Sequence, residues 1–356
     1  MSAPLKVAIP AATPRGQMFR VAIIGAASLK GKEVAEVLNE RNFPALDVRL
    51  LDDEEQAQGQ LEALGDEVSF IQKVRAEQFE HVDFAFFAGD ARSTRKSWKI
   101  ARDAGCTIVD LSGALESEPG ATVRAVSAER ELGVTPAPEL QPGPCVVPHP
   151  GAVMLTLLLL RLRKAGAPAR AIATLQIPAS EAGQKGMDEL HQQTVNLLSF
   201  QPLPKDVYDA QVAFNLLPQF GARAESPLAA VEARVLREVR HLGGPQPPVV
   251  SLSVLQAPVF HGLALSLYVE LPASVDAAGV GKAIAGESVV VIDAGDPPNN
   301  VSAAGQGEIQ VSIQKDASQA GGFWLWAVAD NLRLAAISAV ECAESLASTR
   351  PVGKIQ

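Results

Sequence analysis

The sequence predicts an α/β protein in two parts, a doubly wound parallel sheet followed by an α+β domain with a mixed sheet. Three observations carry this. The chain has 356 residues, too many for one ordinary core. Short apolar runs alternate with helical patterns up to about residue 150. Beyond Val153 strands dominate, and Leu263, Leu265, Leu267, Val269 and Leu271 alternate with less apolar positions, as in a sheet covered on one face.

Arg20 to Ile24 reads RVAII, a run that suits a strand buried on both faces. Gly25 to Gly31 makes the turn, and Val34, Val37 and Leu38 mark the helix after it. Asp47 to Leu51 and Asp83 to Phe87 are the next strands, Ser93 to Ala104 a helix ended by Gly105, and Cys106 to Leu111 a further strand. Val153 to Leu160 is a buried helix, too short for a membrane span of about 20 apolar residues. Strands follow at Ala171 to Ile177, Val249 to Val254, Leu263 to Leu271, Val289 to Asp293, Ile309 to Ile313 and Phe323 to Val328. Helices fall at about Gln184 to Leu198 and Pro227 to His241, and a last one runs from about Asn331 to Ala347. Gly243 to Pro248 is a loop.

Strand, glycine turn and helix together form the layout that presents backbone N–H groups to a pyrophosphate. Residues 18–150 therefore read as a Rossmann-type dinucleotide-binding domain, completed by the C-terminal helix at 331–348. Residues 151–330 are the second domain, and residues 1–17 a loose extension with three prolines. The same turn also suits a purely structural strand-to-helix connection.

Apolar residues make up 47% and charged residues 20%, with a net charge of −9. With no long Lys/Arg run, nucleic-acid binding lacks its electrostatic footprint. Cys106, Cys145 and Cys342 show no CxxC spacing, so neither a disulfide framework nor a zinc motif is expected, and a reducing cytoplasm is the simplest setting. All three read as core cysteines. No membrane association and no metal are expected.

Several segments together resemble the aspartate-semialdehyde dehydrogenase family. GAASLKG (Gly25, Ala26, Ala27, Ser28, Leu29, Lys30, Gly31) is similar to its GATGxVG loop, and SEAGQKG (Ser180 to Gly186) to SGAGQKG. PVFHGLA (Pro258 to Ala264) is similar to PVxxGHS, WAVADNLRLAA (Trp326 to Ala336) to WVVADNLRKGAA, and DLSGALE (Asp110 to Glu116) to DNSSAFR. The order and spacing agree from Phe19 to the last helix. The resemblance implies a homodimer formed through the second domain's sheet. It also implies NADPH-dependent reduction of aspartyl phosphate to the semialdehyde, by a nucleophilic cysteine, a histidine and anion-binding arginines. Gly25, Ala26, Ala27, Ser28, Leu29, Gly31 and Asn331 are then the cofactor-binding candidates.

The chemistry-bearing positions depart from the family. Its NPNCST runs here as Pro148, His149, Pro150, Gly151, Ala152, Val153, which puts Gly151 at the nucleophile. Leu263 stands for the histidine, Gln256 for the carboxylate-binding arginine and Glu116 for the phosphate-binding arginine. Glu181 replaces a glycine. Ser28 replaces the middle glycine of the turn, which is tolerable if its φ stays negative. The acidic run Asp52, Asp53, Glu54, Glu55 replaces a segment that holds the 2′-phosphate of NADP, so NAD is favoured over NADP if either binds. A solvated acidic turn is the plainer reading of that run.

Three functions fit these residues: a catalytically silent relative acting as scaffold, protein partner or ligand-binding protein, an NAD-using oxidoreductase with changed chemistry, or an active dehydrogenase of amino-acid biosynthesis. His149, His261 and Glu181 are candidates for a substitute acid–base or metal site, although ordinary surface or hydrogen-bonded histidines are the plainer reading. A pocket beside Gly151 filled by side chains favours the scaffold.

Overall fold

The computed structural model describes residues 18–54, 57–64, 67–135, 137, 142–293 and 295–349. The N-terminal extension and one member of the acidic run, Glu55, lie outside the described residues. No helix among those described is long and apolar enough to cross a membrane.

The first domain contains β1 (Phe19–Ile24), α1 (Leu29–Glu40), β2 (Ala45–Asp52), β3 (Leu61–Leu64), β4 (Glu67–Phe70), β5 (Gln72–Lys73), β6 (Phe84–Phe87), α2 (Ala91–Asp103), β7 (Thr107–Asp110), β8 (Thr122–Val123), α3 (Val126–Leu132) and β9 (Cys145–Val146). Its seven-stranded sheet has the order β5-β2-β1-β6-β7-β9-β8 and is parallel throughout. The chain leaves β1 toward β2 on one side and returns to β6 on the other. Gly25, just past β1, therefore sits at the point where strand order reverses, where open α/β sheets bind ligands. β3 and β4 form a separate hairpin.

The second domain contains α4 (Pro150–Leu162), β10 (Arg170–Ile177), α5 (Gly183–Leu198), α6 (Leu228–Leu242), β11 (Ser251–Gln256), β12 (Leu263–Glu270), α7 (Ala277–Ile284), β13 (Val289–Val291), α8 (Asn300–Ala303), β14 (Ile309–Lys315) and β15 (Gly322–Ala329), and α9 (Asn331–Thr349) is the last element described. The sheet order is β11-β10-β12-β15-β14-β13, with antiparallel pairs at its centre and parallel pairs at both edges. Leu263, Leu265, Leu267 and Val269 of β12 face the core as the alternation predicts.

α4 is buried along its whole length, which explains its lack of a polar face. Each leucine it buries stabilises the fold by about 1.5–3 kcal/mol. α9 returns to the first domain, where Ala336, Ala339, Val340 and Ala343 share a core with Val34 and Leu38 of α1. Cys106, Cys145 and Cys342 are buried and unbridged.

Candidate functional site

The glycine turn is tightly built. Gly25 has φ +79°, and a Cβ there would lie 2.4 Å from the Gly89 nitrogen, so the position admits only glycine. Ser28 has φ −69° and caps α1, with its Oγ accepting from Gly31 N at 3.0 Å and donating to the Ala88 carbonyl at 3.0 Å. Its side chain is thus turned into the protein, and replacing the middle glycine has not closed the turn. Leu29 and Lys30 hold the first two positions of α1, whose amides a helix leaves without an internal acceptor.

The acidic run is solvated only in part: Glu54 is exposed, while Asp52 and Asp53 are held by the protein. Asp52 is buried, and its carboxylate accepts from Ala27 N at 3.2 Å and Glu54 N at 3.0 Å. Asp53 lies 3.4 Å from both Ser93 Oγ and Lys96 Nζ. Local hydrogen bonds hold these carboxylates at the end of β2, beside the turn.

Apart from Glu116, which pairs with α6, the remaining candidates lie where β10, β11 and β12 meet the starts of α4 and α9. His149 caps α4, with Pro150 in the first helical position, where its missing N–H costs nothing. Gly151 N donates to His149 Nδ1 at 3.0 Å, which leaves the ring proton on Nε2. Nε2 lies 3.2 Å from Glu181 Oε1, within ionic reach but without hydrogen-bond alignment. His149 is therefore a buried capping residue, not a surface one. His261 contributes its carbonyl, which accepts from Asn300 Nδ2 at 3.2 Å. No group of three His, Cys, Asp or Glu side chains placed for a metal occurs among the described residues.

An ideal Cβ on Gly151 would lie 2.6 Å from Leu175 Cδ2 and 3.1 Å from His149 Nδ1. Leu263 opens β12 opposite Ala329 and is wholly buried. Gln256 is buried, and its amide donates to the carbonyls of Ile177 at 3.1 Å and Ala257 at 2.9 Å. Glu116 forms a two-pronged pair with Arg237 of α6, at 3.2 and 2.8 Å. The Arg237 hydrogen bond holds the Glu116 carboxyl below its ordinary range. Asn331 Oδ1 lies 3.2 Å from Ser180 Oγ and accepts from Gly262 N at 3.3 Å, while its Nδ2 is buried without a partner.

Sequence reasoning missed Leu175, Arg234 and Glu238. Arg234 Nε donates to Glu238 Oε1 at 2.8 Å, its NH2 nitrogen donates to the Val147 carbonyl at 3.2 Å, and Glu238 Oε2 accepts from His149 N at 2.7 Å. The i,i+4 spacing of Arg234 and Glu238 was readable, but its burial was not.

Burial alone would raise the Glu181 carboxyl. Its neighbours His149, Lys30 and Arg234 together outweigh this and hold it well below its ordinary value of 4.5. A carboxyl lowered on folding stabilises the protein fully above its unfolded value, and that stability is lost as pH falls toward the folded one. Below about pH 4.5, wild-type stability should therefore fall more steeply than that of Glu181→Gln. Denaturant midpoints from about pH 3 to 7 check this, and equal slopes would refute it.

Comparisons with known proteins agree with this architecture. Residues 20–148 match the family model "Semialdehyde dehydrogenase, NAD binding domain", and residues 159–334 match "Semialdehyde dehydrogenase, dimerisation domain". A USG-1 protein homolog of Pseudomonas aeruginosa is 36% identical over 93% of this chain and 98% of its own. The solved structure of a probable aspartate-semialdehyde dehydrogenase from Pseudomonas aeruginosa superimposes with a TM-score of 0.80 at 32% identity, covering 93% of this chain and 98% of that one. Aspartate semialdehyde dehydrogenase II of Vibrio cholerae, solved as a complex with ASA, gives a TM-score of 0.80 at 26% identity over the same shares. By sequence along nearly its full length and by fold, the chain belongs to the aspartate-semialdehyde dehydrogenase family.

Proposed function

We propose that this family member lacks the NADPH-dependent reductive dephosphorylation and serves as a scaffold, protein partner or ligand-binding protein. The observation that carries this reading is the Leu175 methyl, 2.6 Å from where a nucleophile's Cβ would stand at Gly151. Gln256 and Glu116 support it, since their polar groups are engaged with the protein itself. Purified protein given aspartate semialdehyde, phosphate and either NADP or NAD should reduce neither above background. Robust turnover, or growth of a strain lacking the dehydrogenase when this chain is supplied, would establish the active-enzyme reading instead.

A dinucleotide still suits the chain's residues. The negative φ of Ser28, its inward side chain and the unpartnered Asn331 amide all favour one, and Asp52 and Asp53 favour NAD over NADP by repelling a 2′-phosphate. When bound, such a group supplies hydride chemistry. The amides of Leu29 and Lys30, at the end of the turn Gly25 to Gly31, would hold its pyrophosphate and Asn331 its far end.

The second domain would pair with its counterpart in another copy through the sheet face bearing Trp324, Trp326, Tyr268 and Ile172. Trp324 is 45% exposed and Ile172 is 39% exposed. Trp324→Arg should convert a dimer to monomers in sedimentation without changing the circular dichroism spectrum. A variant that stays dimeric would move the interface elsewhere.

A further inference from the structure

We propose that the outer face of α2 is a docking site for an acidic segment of a protein partner. This rests on the reading that the chain acts through a protein partner, and names the chemistry of that partner. α2 has the sequence ARSTRKSWKIARD, and Arg92, Arg95, Lys96, Lys99 and Arg102 are all exposed. At about 100° per residue they fall within an arc of about 120°, and the first and last stand about 15 Å apart along the axis. Thr94, Ser97, Trp98 and Ala101 are buried on the other side, so packing holds the cations outward. Among the described residues, two carboxylates pair with this face. Lys96 Nζ lies 3.4 Å from Asp53, and Arg102 pairs with Asp103 at 3.1 Å. Among the same residues, Arg92, Arg95 and Lys99 have no ion-pair partner.

This charge works against the helix itself. Arg92 and Lys96, and likewise Arg95 and Lys99, are four residues apart, and like charges at that spacing repel. Beyond the Asp90 cap the first turn holds Arg92 and no acid, against the sign of the helix dipole. Trp98 adds order, with Lys99 Nζ 5.7 Å and the Arg102 guanidinium carbon 4.8 Å from its ring centre. Cations seated on an indole give up side-chain freedom before any partner arrives. A pre-ordered row of cations on a chain of net charge −9 is complementary to carboxylates. Three of the five are arginines, which grip carboxylates with two parallel bonds. A partner helix with acids three, four and seven residues apart matches the row turn for turn. The phosphates of a nucleic acid run on past about 15 Å and onto an acidic molecule, which repels them. A membrane surface calls for apolar side chains among the cations, and Ile100, 40% exposed, is the one large apolar side chain exposed on α2.

A fluorescein-labelled oligoglutamate of about fifteen residues, titrated with the full chain at about 0.15 M salt, tests the proposal. Wild type should bind it, and Arg95→Glu with Lys99→Glu should bind it at least about tenfold more weakly. Lys282→Glu with Lys315→Glu, exposed on α7 and β14, changes the net charge equally and should stay within about twofold of wild type. Arg95→Gln with Lys99→Gln should also weaken binding, yet melt no lower than wild type, because it relieves repulsion along α2. Circular dichroism and melting of each variant establish that it is folded. No binding by wild type at about 0.1 mM peptide, or equal losses in the α2 pair and the second-domain pair, would overturn the docking face. Tighter binding of an oligothymidylate of equal charge, or of phosphatidylserine vesicles, would overturn it in favour of a nucleic acid or a membrane. A fall in sedimenting mass for Arg95→Glu with Lys99→Glu would overturn it in favour of a second copy of the chain. None of these results touches the proposed loss of the family reaction, which its own turnover assay decides.

Discussion

Arg234→Met should lower the unfolding free energy by about 3–5 kcal/mol, the largest stability loss expected from any single change at the site. The Glu238 side chain is wholly inaccessible to solvent and the Arg234 side chain is 21% exposed, so the pair is largely shielded from water. Removing the guanidinium strands a carboxylate whose other oxygen already serves His149 N. It also frees the Val147 carbonyl and empties the space against Gly113, where an added Cβ would lie 2.6 Å from the guanidinium carbon. The double variant Arg234→Met with Glu238→Gln should recover much of the loss, because a neutral amide oxygen still accepts from His149 N without stranding a charge. Urea midpoints at constant slope give the measurement. A single-variant loss under about 1 kcal/mol would mean that the pair contributes no more than a surface ion pair.

The fold was legible wherever periodicity was strong. RVAII, the helix stripe of α1, the β12 alternation and the alanine-rich stripe of α9 each name their element, because one face or both must be buried. The hairpin of β3 and β4, the two-residue strands β5 and β8, and α3 and α7 were not legible. They are short, and in α7 Gly279 and Gly281 weaken any helical signal. At the site, resemblance located Gly151, Leu263, Gln256 and Glu116, but their present partners are tertiary facts. Nothing local in TLQIP says that the Leu175 methyl will stand over Gly151, and nothing around Glu116 names Arg237. His149 is the intermediate case. A hydrogen-bonding side chain directly before a proline and a buried helix is a readable cap signal, and it was weighed as a catalytic candidate instead.

Gly151→Cys with Leu263→His should leave dehydrogenase activity at background and cost about 1–3 kcal/mol of stability from overpacking alone. A nucleophile is commonly worth about four to six powers of ten in rate, so restoring one should be easy to detect wherever the pocket can use it. Here the new Cβ meets Leu175 Cδ2 at 2.6 Å. Because that methyl ends a flexible side chain, the clash moves it and does not break the backbone. The imidazole at position 263 would replace a wholly buried leucine, exchanging apolar contact for a polar ring that needs partners. Adding Leu175→Ala would relieve the cysteine but leave a core cavity, costing about 2–5 kcal/mol more. Even then the substrate's anionic groups find no anchor, because Gln256 is committed to two carbonyls and Glu116 presents the wrong charge. Recovery of activity should therefore require Gln256→Arg and Glu116→Arg as well, and the second of these strands Arg237 opposite a like charge. Steady-state assays and melting of the nested set of variants separate these costs. Turnover from the cysteine and histidine alone, at an unchanged melting temperature, would show that the space beside Gly151 opens readily. Silence across the set until the anchors are restored would place the barrier in charge and packing together, not in the missing thiol alone.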